Sequence, residues 1–169
     1  MNMQLTLIRH APAGDRLEWA RTGQPDEERP LTKEGSLKMR RAARGLRRVL
    51  ESPERLFSSP LLRARQTAEL LLDCYPRIHV ETTEALAPET APEATLDWLA
   101  SLGNCPRVAL VGHEPHLSSL LALLVHGQPG LDTLPFRKGG VAILELEDIR
   151  PAGARLAAFL PPRVLRALG

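Results

Sequence analysis

Segments patterned as strands and as helices alternate along the whole chain, and that alternation restricts the fold to few architectures. Gln4–Ile8 is short, apolar and partly β-branched, and it stops abruptly at Arg9-His10. Arg55–Ser58 predicts a second strand and Ile78–Glu81 a third. Val108–Val111, apolar throughout, predicts a fourth that is buried on both faces. Val141–Glu147 and Arg155–Phe159 predict the last two. Between them, Thr32 can cap a helix reaching about Leu50, with Met39, Ala42, Ala43, Leu46, Val49 and Leu50 at helical spacing. Ser59-Pro60 can open another to about Leu72, serine at the cap and proline at the first helical position. Pro92–Leu102 predicts a third helix, and Leu117, Leu120, Leu121, Leu124 and Val125 form the apolar stripe of a fourth. Residues 11–31, rich in Gly, Pro and charge, read as a loop long enough to carry function.

Strands separated by helices imply a three-layer α/β/α sandwich with a mostly parallel central sheet. The 169 residues suit one domain, 1–169. Ligands of such sheets bind beyond the carboxyl ends of the strands. Three polar signals fall there: Arg9-His10, Ser58-Ser59 and Gly112-His113.

Those residues suit phosphoryl transfer. A phosphate dianion calls for fixed guanidinium groups; Arg9 ends a strand, and Arg63 lies one turn inside the helix opened at Ser59, near its positive end. Arg65, two residues on, points around the helix toward the surface. A nucleophile must be uncharged before attack, and arginines beside His10 disfavour its protonated form. His10 would then form a covalent phosphohistidine, splitting one displacement into two easier ones. His113 would stabilise the charge spread over the phosphoryl oxygens. No metal or cofactor is expected. Gly112-His113-Glu114-Pro115-His116 superficially resembles a zinc motif but lacks the required spacing.

With 22 basic against 20 acidic residues and 4% aromatics, neither bulk charge nor stacking rings call for a nucleic acid partner. No apolar run reaches membrane-spanning length, the N-terminus lacks a signal peptide, and Cys74 and Cys105 show no metal spacing. A cytoplasmic location is the expectation. Lys38, Arg40, Arg41, Arg44, Arg47 and Arg48 make one helix face basic, read as a solvated face or, alternatively, a dock for an acidic partner protein.

Leu7-Ile8-Arg9-His10-Ala11, residues 58–68 from Ser58 to Ala68, and Val111-Gly112-His113-Glu114-Pro115 resemble the three signature blocks of the histidine phosphatase (phosphoglycerate mutase-like) superfamily. Arg29–Gly35 is similar to the segment leading into that family's first helix, and the blocks extend over about Met3–Leu146. The resemblance implies the same sandwich, His10 as the phosphorylated nucleophile, and Arg9, Arg63 and His113 as the rest of the phosphate pocket. The short chain, Arg9-His10-Ala11, and Phe136–Val141 are most similar to the SixA-type phosphohistidine phosphatases. That branch implies a phosphohistidine-bearing protein as substrate; small phosphomonoesters or sugar phosphates are the alternative, and a non-catalytic phosphate-binding or scaffold protein is another. For esters the family uses an acidic proton donor. Glu84 is the candidate, with Glu89 and Glu114 as alternatives.

Overall fold

The computed structural model describes residues 2–130 and 134–169. Strands β1 (Met3–Arg9), β2 (Arg55–Ser58), β3 (Val80–Thr82), β4 (Arg107–Gly112), β5 (Val141–Leu146) and β6 (Ala154–Leu160) form one sheet, ordered β3-β2-β4-β1-β5-β6. β3, β2, β4 and β1 pair in parallel, whereas β5 is antiparallel to both β1 and β6. The fold is the expected α/β sandwich, with β5 the strand that reverses direction.

Helices α1 (Arg16–Ala20), α2 (Lys33–Val49), α3 (Leu62–Leu72), α4 (Pro92–Ser101), α5 (His116–His126) and α6 (Pro162–Leu168) surround the sheet. Side chains alternate between faces along a strand, and the central strands bury both sets. Leu5, Leu7, Val108, Leu110, Ala142 and Leu144 pack with α4 and α5. Ile8, Ala109, Val111, Val141 and Ile143 pack with α2, α3 and α6. Central strands therefore read as unbroken apolar runs.

Thr32 caps α2, its Oγ1 accepting from the Gly35 amide at 2.9 Å. The predicted spacing then buries Met39, Ala42, Ala43 and Leu46, while Arg40, Arg41, Arg44, Arg47 and Arg48 remain exposed. Arg40 pairs with Asp73, and Arg47 lies over the Tyr75 ring. Such exposed pairs contribute little to stability. Among the described residues, no helix is long and apolar enough to cross a membrane.

Three expectations are corrected. The 11–31 loop contains α1, capped by Asp15, whose Oδ1 accepts from Leu17 and Glu18, and a 3₁₀ turn at Asp26–Glu28. α3 begins at Leu62, three residues after Ser59, whose hydroxyl accepts from the Leu61 amide at 3.3 Å and lies 2.8 Å from His113 Nε2. Finally, β6, predicted as the last element, is followed by α6, which opens at Pro162. Proline is at ease in a first helical turn, and Leu165 buries α6 against α2.

The α2–α6 contact is backbone-close: a Cβ at Gly45 would lie 1.9 Å from the Leu165 carbonyl oxygen. Gly45→Ala is expected to cost about 1–3 kcal/mol, the scale of an overpacked contact. The thermal midpoint should drop by several degrees, and an unchanged midpoint would mean that the two helices slide apart freely.

Candidate active site

β2, β4 and β1 are consecutive in the sheet and parallel, so their carboxyl ends lie side by side. The Ser59 amide donates to the Val111 carbonyl and the His10 amide to the Gly112 carbonyl, both at 3.0 Å, extending the ladder one residue past each strand. The turn before β5 closes over the same edge. Gly139, at φ +78°, a conformation natural to glycine, brings its N–H within 3.1 Å of both the Arg9 and His10 carbonyls.

Arg9, His10, Arg63 and His113 consequently line one cleft of about 740 Å³. The His10 and His113 rings lie 5.1 Å apart, tilted by 54°. His10, Arg63 and His113 are 6%, 5% and 3% exposed, so they are nearly withdrawn from water.

His10 Nδ1 lies 2.7 Å from the Ala11 carbonyl oxygen. A carbonyl only accepts, so Nδ1 carries the proton and Nε2 keeps its lone pair. Burial lowers the His10 pKa to about 3; the Ala11 hydrogen bond opposes this, while Arg63, Arg9 and Lys138 reinforce it. His113 is lowered as well, first by burial and then by His10 and Arg63. Its Nε2 is 2.8 Å from Ser59 Oγ. Both rings are neutral at pH 7.

Both guanidinium groups are anchored by neighbouring oxygens. Arg9 Nη1 donates to the Phe136 carbonyl at 2.6 Å. Arg63 Nη1 donates to the Asp26 carbonyl at 2.9 Å and Nη2 meets Asp26 Oδ2 at 3.0 Å. Burial lowers the pKa of each arginine, opposed by Glu114 at Arg9 and by Asp26 at Arg63. Among the described residues, Arg9 Nε, Arg63 Nε and His113 Nδ1 are buried without a partner. Buried polar atoms left unpaired are costly, and a bound oxyanion is the partner that suits the two arginine donors.

The acidic candidates separate. Glu84, the candidate proton donor, is exposed in the turn before α4 and is not among the residues that line the cleft. Glu89 lines the cleft. Glu114 also lines it, but its two oxygens accept from the Phe136 amide at 3.0 Å and the Ser118 hydroxyl at 2.6 Å. The zinc-like run disperses: His113 pairs with Ser59, and His116 with Thr95 at 2.8 Å. Arg65 is half-buried rather than fully on the surface.

Sequence reasoning missed Asp26, Arg29 and Lys138. Arg29, 8% exposed, holds Asp26 Oδ1 at 2.8 Å and the Gly14 carbonyl at 2.7 Å, so one carboxylate bridges two buried guanidiniums. Burial alone would raise the Asp26 pKa, but the Arg29 hydrogen bond and the Arg63 charge outweigh it and hold the value low. The Arg29–Gly35 block signals Arg29, but Asp26 lies before it, and its link to Arg63 crosses 37 residues and is visible only in the fold.

The family model for the histidine phosphatase superfamily (branch 1) matches residues 5–88. The phosphohistidine phosphatase SixA of Escherichia coli is 31% identical over 152 residues, covering 86% of this chain and 87% of the relative. This chain belongs to the histidine phosphatase superfamily. An uncharacterized Picosynechococcus protein is 34% identical over 158 residues, 92% of this chain and 90% of its own. A solved protein histidine phosphatase SixA, complexed with tungstate, superimposes with a TM-score of 0.79 at 28% identity, covering 96% of this chain and 99% of that one. The histidine phosphatase described here is thus of the SixA type and a phosphatase among the hydrolases.

Two rings kept neutral by burial tie stability to pH. Unfolded, each histidine takes up a proton near pH 6.5, so below that the unfolded state binds more protons than the folded one. Stability is therefore fully present above pH 6.5 and falls as pH drops toward the folded pKa, about 3 for His10. One ring accounts for about 2 kcal/mol between pH 6.5 and pH 5. Denaturant midpoints should decline between about pH 7.5 and pH 5, less steeply in His10→Gln; equal slopes would show that His10 titrates normally in the fold.

Proposed function

We propose that this phosphatase removes phosphate from phosphohistidine on a partner protein, through a covalent phosphohistidine on His10. The observation that carries the reading is the tautomer of His10: Nδ1 bound to the Ala11 carbonyl, Nε2 bare, in a cleft shared with two arginines and His113. Nε2 attacks phosphorus and forms an N–P bond as the substrate's own N–P bond breaks. The departing imidazole leaves with the proton on its other nitrogen, so it departs neutral. Arg9, Arg63 and His113 hold the equatorial oxygens through the transfer. Water then attacks phospho-His10, inorganic phosphate departs, and the imidazole returns to its starting state.

Substrate class is supported by the relatives. The E. coli relative is named a phosphohistidine phosphatase, and the solved structure is of a protein histidine phosphatase holding tungstate, itself a tetrahedral oxyanion. His10→Ala is expected to abolish turnover with the fold intact by circular dichroism. A phosphohistidine donor and rapid quench should place acid-labile, base-stable phosphate on His10; full activity in the variant would remove the mechanism.

A second reading, phosphomonoester hydrolysis, draws on Glu89, which lines the cleft and can protonate an ester oxygen. General acid help is worth ~10²–10⁴-fold. Glu89→Gln should therefore depress ester hydrolysis strongly while sparing phosphoramidate, whereas Glu84→Gln should affect neither. Equal loss on both substrates in Glu89→Gln would deny Glu89 a proton-donor role.

A further inference from the structure

Glu114 follows His113 and lines the cleft, yet it is not placed as a free acid. Both oxygens accept hydrogen bonds: Oε1 from the Phe136 amide at 3.0 Å and Oε2 from the Ser118 hydroxyl at 2.6 Å. With both oxygens already accepting, the carboxylate is engaged away from the reacting atoms. Ser118 is on α5, so the carboxylate ties that helix to the segment preceding β5.

Phe136 then faces two ways along the backbone. Its N–H is taken by Glu114, and its carbonyl receives Arg9 Nη1 at 2.6 Å. Its ring is 1% exposed and packs edge-on to Phe159, centroids 5.1 Å apart. Three contacts fix this residue, and one of them sets where the Arg9 guanidinium points.

Charge runs along the same route. Burial disfavours the Arg9 cation and Arg137 repels it, while Glu114 is the acidic group that stabilises it. Among the described residues no ion pair joins Glu114 to a guanidinium; its route to Arg9 runs through Phe136 and through its field.

We propose that Glu114 is a positioning residue for Arg9, holding the Phe136 carbonyl that aims the guanidinium into the phosphate cleft. The proposal rests on the reading of Arg9 as a phosphate ligand. A charge-assisted hydrogen bond to a buried peptide is strong enough for its loss to reach the anion site.

The test is a double-mutant cycle on the full chain, with orthovanadate as the probe. Dissociation constants are measured for wild type, Glu114→Ala, Arg9→Lys and the double variant, alongside kcat, KM and Tm with phosphoramidate. Lysine keeps the charge but not the forked geometry that spans carbonyl and anion. Glu114→Ala should weaken vanadate roughly tenfold and raise KM by a similar factor in the wild-type background. With Lys at position 9 the same change should be less than about twofold, since interacting sites are not additive. Glu114→Gln keeps an acceptor for the Phe136 amide without the charge and should fall between; it carries the same cycle if the alanine variant does not fold. Equal factors in both backgrounds, or a lower Tm with unaltered vanadate affinity, would overturn the proposal. If Arg9→Lys alone leaves vanadate affinity unchanged, it is instead the assignment of Arg9 as a phosphate ligand that fails.

Discussion

Everything at the cleft depends on the parallel pairing of β1 with β4. Register sets Arg9 opposite Gly112, and the ladder runs one bond further, from the His10 amide to the Gly112 carbonyl. Histidines more than 100 residues apart thereby come within 5.1 Å. A shift of one residue would send His10 and every apolar side chain of β1 to the opposite face. The apolar residues that α4 and α5 cover on one side, and α2, α3 and α6 on the other, hold that register. The core is thus what aligns the chemistry.

Such a site concentrates positive charge where water is scarce. Two guanidiniums and two imidazoles share one cleft, and the conflict is resolved unequally. The arginines keep their charge because carbonyl oxygens and two carboxylates, Asp26 and Glu114, stand behind them. The histidines, with ordinary pKa values close to neutrality, give up theirs. That outcome supports the proposed nucleophile, since a protonated ring has no lone pair to offer. The same residues that attract an oxyanion also keep its attacker neutral.

The fold was largely legible. Strand ends at Arg9, Ser58 and Gly112 follow from where apolar runs stop, and the cap at Thr32 follows from a hydroxyl three residues before an amide it can receive. Misreadings arose where one residue had two offers. Ser59 reads as a helix cap, yet its hydroxyl is shared between the Leu61 amide and a buried imidazole, and α3 starts three residues later. α6 is absent from the sequence reading, and it forms where Leu165 has α2 to pack against. Glu84 and Glu89 lie five residues apart in one loop, and nothing local in the sequence says which of the two lines the cleft.

The sequence by itself determined the six strands and the course of α2, α3, α4 and α5, that central strands are buried on both faces, and which cationic and imidazole groups lie at strand ends. These are local properties, written in periodicity and in the residues at each boundary. Tertiary structure alone decided which nitrogen of His10 is free, that Asp26 bridges Arg29 and Arg63, and that Glu114 reaches Arg9 through Phe136. Each depends on hydrogen-bond partners tens of residues away, or on a single carbonyl's direction. Pattern along a chain carries no record of either until the sheet has assembled.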